Sequence, residues 1–209
     1  MIENRPDYSQ CQPGAPVATT AAAPTTLVTT TAAALTGTGS TPTTGTGTTG
    51  TGPGTTLQSG YYWIRAVESP NFHKYLQSKP LYTTGPAVMG DYTTAGQFQV
   101  VDGQLVQLIS SPGATAQLLY GIVSTQTYNN NQSLQLTFST TKNSYGTFGW
   151  QGDGLTWSTP GVSRPNSIAW YVCTGQLLYI NLGNYLYNTP SGCADETIHY
   201  YNAATTNNK

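Results

Sequence analysis

From residue 57 to about residue 203 the chain is cut into short runs of β-branched and aromatic residues, each stopped by a turn signal. No window keeps a 3.6-residue apolar period beyond a turn or two, so helices have no amphipathic stripe to bury. Side chains of this kind suit a pleated surface instead. Segments 61–67, 98–101, 105–109, 118–123, 134–138, 147–150, 155–157, 168–172, 177–180 and 197–201 read as strands. Asp102-Gly103, Gly152-Asp153-Gly154 and Thr174-Gly175 stand between runs as hairpin turns.

About ten short strands in so short a stretch suit a closed or near-closed architecture. The fold expected is a single compact all-β domain, a β-barrel or β-trefoil-like arrangement, with a β-sandwich as the alternative. Segments 98–106, 148–156 and 170–178 share an order of aromatic, hairpin glycine and leucine, as repeats would. Their turn glycines Gly103, Gly154 and Gly175 are spaced unevenly, however, which breaks a strict three-fold period.

Ahead of this domain the composition changes abruptly. Residues 13–56 are almost wholly Thr, Ala, Gly, Pro and Ser, and no charged residue occurs between Asp7 and Arg65. Such a stretch cannot bury enough apolar surface to offset its ordering entropy, so a disordered linker is expected. Its Thr runs read as acceptors for O-linked sugars, as in mucin-like stalks. Residues 1–12 form a separate polar piece, giving three segments: 1–12, 13–56 and 57–209.

Charged residues make up 7% of the chain and the formal net charge is −1. The seven Lys and Arg are scattered, so no basic footprint exists for nucleic acid. No apolar run approaches the ~20 residues of a membrane span, and no membrane association is expected. The first residues also lack the positive and apolar regions of a signal peptide. Because the other features point outside the cell, the chain is expected to begin late, without its leader.

Three cysteines cannot all pair with one another. Cys173 and Cys193, both in the β-region, are expected to form a disulfide, consistent with an oxidising compartment. Cys11 is left over, and its partner is expected in residues preceding this chain. Asn131-Gln132-Ser133 is an N-glycosylation sequon in Asn-rich surroundings.

Tyr8-Ser9-Gln10-Cys11, followed by a Thr/Pro/Gly/Ser stalk, resembles the last strand of family 1 fungal carbohydrate-binding modules. These are small cystine-stapled wedges whose aromatic row stacks on cellulose. The resemblance covers residues 3–12 and implies that Tyr8 matches a stacking aromatic, Gln10 a hydrogen-bonding amide and Cys11 the terminal half-cystine. Asp7 and Arg5 depart from the pattern, standing where the family usually has an aromatic and an Asn. What the resemblance implies is a secreted fungal protein directed to cellulose.

Chemistry within the β-region is sparse. A glycosidase needs two carboxyl groups across the scissile bond, one with a raised pKa. Glu68, Asp91, Asp102, Asp153, Asp195 and Glu196 are available. Asp102 and Asp153 read as turn residues, and Asp195 and Glu196 as neighbours on opposite strand faces. Glu68 with Asp195 or Glu196 is a possible pair. His73 and His199 are far apart in sequence and form no metal motif, so neither metal nor cofactor is expected.

Aromatic residues offer more, because indole and phenol rings stack on the C–H faces of sugars. Trp63 and Trp170 sit in apolar runs and read as core. Trp150 and Trp157 flank a polar turn and read as exposed, and Tyr185 and Tyr187 alternate as if on one strand face. These four residues are the candidate sugar contacts of the β-domain. The function expected is non-catalytic binding of cellulose or another plant cell-wall polysaccharide by a secreted monomer. The alternatives are a small polysaccharide-active enzyme and a structural fungal-wall protein.

Overall fold

The computed structural model describes residues 51–209. Twelve strands dominate it: β1 (Trp63–Ala66), β2 (Tyr75–Ser78), β3 (Gly85–Gly90), β4 (Gln97–Val101), β5 (Gln104–Leu108), β6 (Leu118–Tyr128), β7 (Ser133–Ser139), β8 (Thr147–Gln151), β9 (Gly154–Ser158), β10 (Ala169–Cys173), β11 (Leu177–Asn181) and β12 (Cys193–Tyr201). All belong to one sheet, and every pairing between them is antiparallel. The domain is therefore all-β, as the residue pattern requires.

The pairings follow a trefoil-like plan. Six strands succeed one another in a ring: β4–β5 and β8–β9 are hairpins, β9 meets β12, and β12 pairs with β1. Reciprocal bonds of 2.8 Å between Tyr62 and Phe98 join the start of β1 to β4. The Phe148 N–H donates to the Gly103 carbonyl at 2.8 Å, joining β8 to the start of β5. The remaining strands form the hairpins β2–β3, β6–β7 and β10–β11, and β3, β7 and β11 pair with one another.

This plan explains the uneven glycine spacing. Gly103 is the second residue of the β4–β5 turn, Gly154 is the first paired residue of β9, and Gly175 lies in the turn between β10 and β11, so the three glycines are not equivalent. The true repeat appears in the fourth strand of each unit. Phe98, Phe148 and Ile198, a step of 50 each time, are all buried, and Val100, Trp150 and Tyr200 follow two residues later. The main core cluster includes Ile64, Leu76, Met89, Leu105, Leu136, Trp157, Trp170 and Leu178, and Trp63, Tyr75 and Ala95 form a second, smaller one. Trp63 and Trp170 are buried as expected, and the Trp170 indole N–H donates to the Leu155 carbonyl at 2.9 Å.

Strands β2 and β3 have no clear sequence signature. β2 is four residues long, and β3 reads Gly-Pro-Ala-Val-Met-Gly, without alternation and with a proline. Gly85 opens β3 at φ 151°, and a Cβ there would lie 2.2 Å from the Lys79 carbonyl oxygen, so only glycine fits.

The domain begins earlier than residue 57. Gly52 N–H donates to Ile109 O at 3.1 Å, and the buried Gln97 amide donates to Gly54 O and Thr56 O at 3.2 and 2.9 Å. Residues 51–56 thus belong to the β-domain rather than to the linker. Their Thr/Gly/Pro composition matches the stalk, but a buried glutamine satisfies their carbonyls. The rest of 13–56 and the whole of 1–12 lie outside the described residues.

Cys173 and Cys193 are bonded, as expected, and sit opposite each other where β10 pairs with β12. At the other end of β10, Arg164 organises an irregular crossing by donating to four carbonyls, those of Trp157 (2.7 Å), Ser167 (2.9 Å), Asn181 (2.8 Å) and Ala169. Burial lowers its pKa to about 10, so the guanidinium remains charged at neutral pH. Arg164→Met keeps the stem and leaves those carbonyls without a donor. A loss of about 2 kcal/mol in chemical denaturation is expected.

Candidate functional site

A hollow of 190 Å³ opens on the outer face of the sheet where β4, β5 and β6 meet the loop after β7. β6 supplies Tyr120, β4 and its turn supply Gln99 and Asp102, and the loop after β7 supplies Lys142. Val106 and Leu118 complete an apolar wall. Asp102 and Gly103 both take positive φ, 51° and 73°, the backbone of a tight two-residue hairpin. That turn holds Asp102 at the rim. Along β6 the odd residues Leu119, Gly121 and Val123 are buried and the even residues Leu118, Tyr120, Ile122 and Ser124 are half-buried, as period-2 geometry demands.

The loop carrying Lys142 is fixed from beneath. The buried Asn143 side chain accepts from Val123 N–H at 3.2 Å and donates to the Tyr145 and Gly146 carbonyls at 2.9 and 3.1 Å. Its backbone forms a two-way pair with the Gln104 amide, at 2.8 and 3.1 Å. Asn143 is thus a small scaffold, and it restricts where the Lys142 stem can start.

Three polar groups of the hollow are unengaged, while the Gln104 amide is held by the Asn143 backbone. Among the described residues, the Asp102 carboxylate, the Tyr120 hydroxyl and the Lys142 ammonium have neither hydrogen-bond nor ion-pair partners. Gln99 donates its amide N–H to Gly60 O at 2.7 Å, leaving its carbonyl oxygen open. A half-exposed ring beside a carboxylate and an amide oxygen offers a sugar an apolar face and two acceptors for its hydroxyls.

A second constellation gathers carboxyl groups. Glu196, fully buried on β12, accepts a 2.8 Å bond from the Asn71 side chain, while its other carboxyl oxygen has no partner. Burial above all, and the Glu68 carboxylate beside it, push its pKa up to about 7 against the pull of the Asn71 and Glu68 amides. The hydroxyl of Tyr185 lies against the same group, and burial followed by Glu68 raises its pKa. Asp195, next along β12, accepts from Asn181 at 3.0 Å and from Thr189. The fold therefore does bring Glu68 together with Glu196, two residues that sequence reasoning could only suggest as a pair. Asp153 stands elsewhere, 3.1 Å from His199 Nδ1.

The predicted aromatic contacts fare unevenly. Trp157 is not exposed: it is buried in the core, its indole N–H donates to Tyr145 O at 3.0 Å, and the Tyr145 ring lies 5.4 Å away. The turn that flanks it is polar, but β9 turns this ring inward. Trp150 is half-buried, packed edge-on against Tyr62 and Tyr200 at 6.2 and 5.4 Å. Tyr185 and Tyr187 share no strand face, because residues 182–192 form a loop. Leu186 adopts φ 57° between them, so Tyr185 turns in toward the carboxyl cluster while Tyr187 is 63% exposed. Asn131 is exposed in the turn between β6 and β7, the last of three consecutive Asn at positive φ. Tyr8, Gln10 and Cys11 lie outside the described residues.

Tyr120, Gln99 and Lys142 escaped sequence reasoning because each looks ordinary in its own segment. Alternation along 118–124 was the one available signal, placing Tyr120 on the outer face. Comparison with models of protein families, with curated protein sequences and with solved structures finds no match to this chain.

Proposed function

We propose that the β-domain is a non-catalytic glycan-binding module, and that the hollow around Tyr120 is its binding site. One observation carries the reading: an aromatic ring, a carboxylate and an amide oxygen from separate elements converge on one concavity with no internal partners. That set matches the amphipathic surface of a pyranose, with its apolar C–H face and ring of hydroxyls. The low overall charge favours a neutral or weakly charged partner over a phosphate backbone. In this reading the protein is a secreted, glycosylated fungal monomer. The Tyr8–Cys11 remnant does not itself bind cellulose, but its resemblance points to cellulose or other plant cell-wall polysaccharide as the target, and the disulfide suits an oxidising compartment.

The enzyme alternative has one observation in its favour, the raised pKa of Glu196 beside Glu68. A general acid must reach the glycosidic oxygen, however, and Glu196 has no exposed surface. The carboxyl pair is better read as a clamp that ties residues 68–71 to β12.

Full-length protein assayed on a panel of insoluble glucans, xylans and mannans separates these readings. Depletion from solution without reducing-sugar release is expected, with Tyr120→Ala weakening binding by ~10-fold or more, since truncating an aromatic at the centre of a binding site costs about 2 kcal/mol. Product release abolished by Glu196→Gln would replace binding with catalysis. Unchanged binding in Tyr120→Ala would move the site elsewhere.

A further inference from the structure

Resting on this glycan-binding reading, we propose that the site takes an extended chain rather than a single sugar, and that the chain carries a carboxylate on the unit lying against Lys142. The hollow around Tyr120 is the middle one of three strung along β6. On one side it shares Leu118 with a hollow of 280 Å³ walled by Thr83, Thr84, Gln117 and Thr140. On the other it shares Lys142 with a hollow of 450 Å³ walled by Ile122, Ser124, Gln126 and Ser144. Leu118, Tyr120, Ile122 and Ser124 are alternate residues of one strand face, so the three hollows follow β6 in order. Six residues at about 3.3 Å each give a track of roughly 20 Å, longer than one pyranose ring.

Charge is distributed unequally along this track. Asp102 stands at the middle hollow, where its carboxylate accepts hydroxyls and repels an anionic unit. In the hollow beyond Lys142 no acidic side chain lines the wall, and Lys142 is the one charged group there. Among the described residues its ammonium has no carboxylate within ion-pair distance. A uronate in that hollow would form a charge-assisted bond that a neutral sugar cannot make. Threonine, serine and glutamine stand beside Ile109 and Leu118 in one outer hollow and beside Ile122 in the other, an amphipathic lining that suits rings with both hydroxyls and C–H faces.

Isothermal titration calorimetry of the full-length protein tests this with a neutral xylo-oligosaccharide, the same oligosaccharide bearing a glucuronate branch, and xylose. The branched oligomer is expected to bind ~10-fold tighter than the neutral one at low salt, the value of one charge-assisted bond of about 1.4 kcal/mol. Added salt should narrow the gap. Lys142→Met should abolish it and Lys142→Arg should keep it; both are exposed-site changes whose folding a melting curve checks. Xylose should bind more weakly than either oligomer. Equal affinity for the two oligomers, a gap that survives Lys142→Met, or xylose binding as tightly as the oligomers would overturn the inference and leave glycan binding intact. Failure of the wild type to bind any of these sugars, or any polymer of the panel, would overturn the glycan reading as well.

Discussion

Glu196→Gln should stabilise the protein at neutral pH and flatten a pH dependence that the wild type shows. The side chain is fully buried on β12, bonded to Asn71 through one oxygen, and lies near Glu68 and Tyr185. Its pKa rises from 4.5 to about 7 in the folded state, chiefly because burial penalises the charged form. Below pH 4.5 the carboxyl is protonated in both folded and unfolded chains and carries no penalty. Between pH 4.5 and 7 the unfolded chain releases a proton that the fold retains, so stability falls as pH rises. Above pH 7 the penalty is constant, with a ceiling of roughly 3 kcal/mol at 1.36 kcal/mol per pKa unit. In the glutamine variant the carbonyl still accepts from Asn71, and the new N–H faces the Glu68 carboxylate. Urea denaturation at pH 4, 6 and 8 should show wild-type stability declining while the variant stays level. Parallel curves for the two proteins would mean that folding leaves the Glu196 pKa unshifted.

Trp157→Ala should cost about 3–5 kcal/mol, the range for deleting a fully buried large aromatic. The indole fills the core between β9 and the 143–146 loop, and its N–H satisfies Tyr145 O. Packing there is tight: a Cβ on Gly146, whose φ is +73°, would lie 2.5 Å from the ring. Trp157→Phe keeps most of the volume and should lower stability by a smaller amount, measured by thermal melting. Its glycan affinity below the melting range should stay within about two-fold of wild type. Loss of affinity with unchanged stability would restore Trp157 to the role of an exposed stacking ring.

These two residues mark where local sequence stops being informative. The strands of the β4–β5, β6–β7, β8–β9 and β10–β11 hairpins were legible because alternation and turn chemistry act over a few residues. Cysteine parity and the expected oxidising compartment led to the disulfide between Cys173 and Cys193. Local logic failed for β3, which keeps its place through pairing with β2, β7 and β11 rather than through its own propensities. It also failed for Trp157, where a polar neighbouring turn says nothing about which way the ring points. Tyr185 and Tyr187 looked like alternating strand residues, yet the left-handed backbone at Leu186 sends one inward and one outward.

The sequence alone determined that this is an all-β domain preceded by a segment without charged residues, because strand period, turn glycines and missing charge are properties of neighbouring residues. Only the tertiary structure decided the three-fold ring of strands, the burial of Glu196 against Glu68, and the meeting of Asp102, Tyr120 and Lys142. Those contacts join residues tens of positions apart, and their energies depend on what lies across the sheet rather than along the chain.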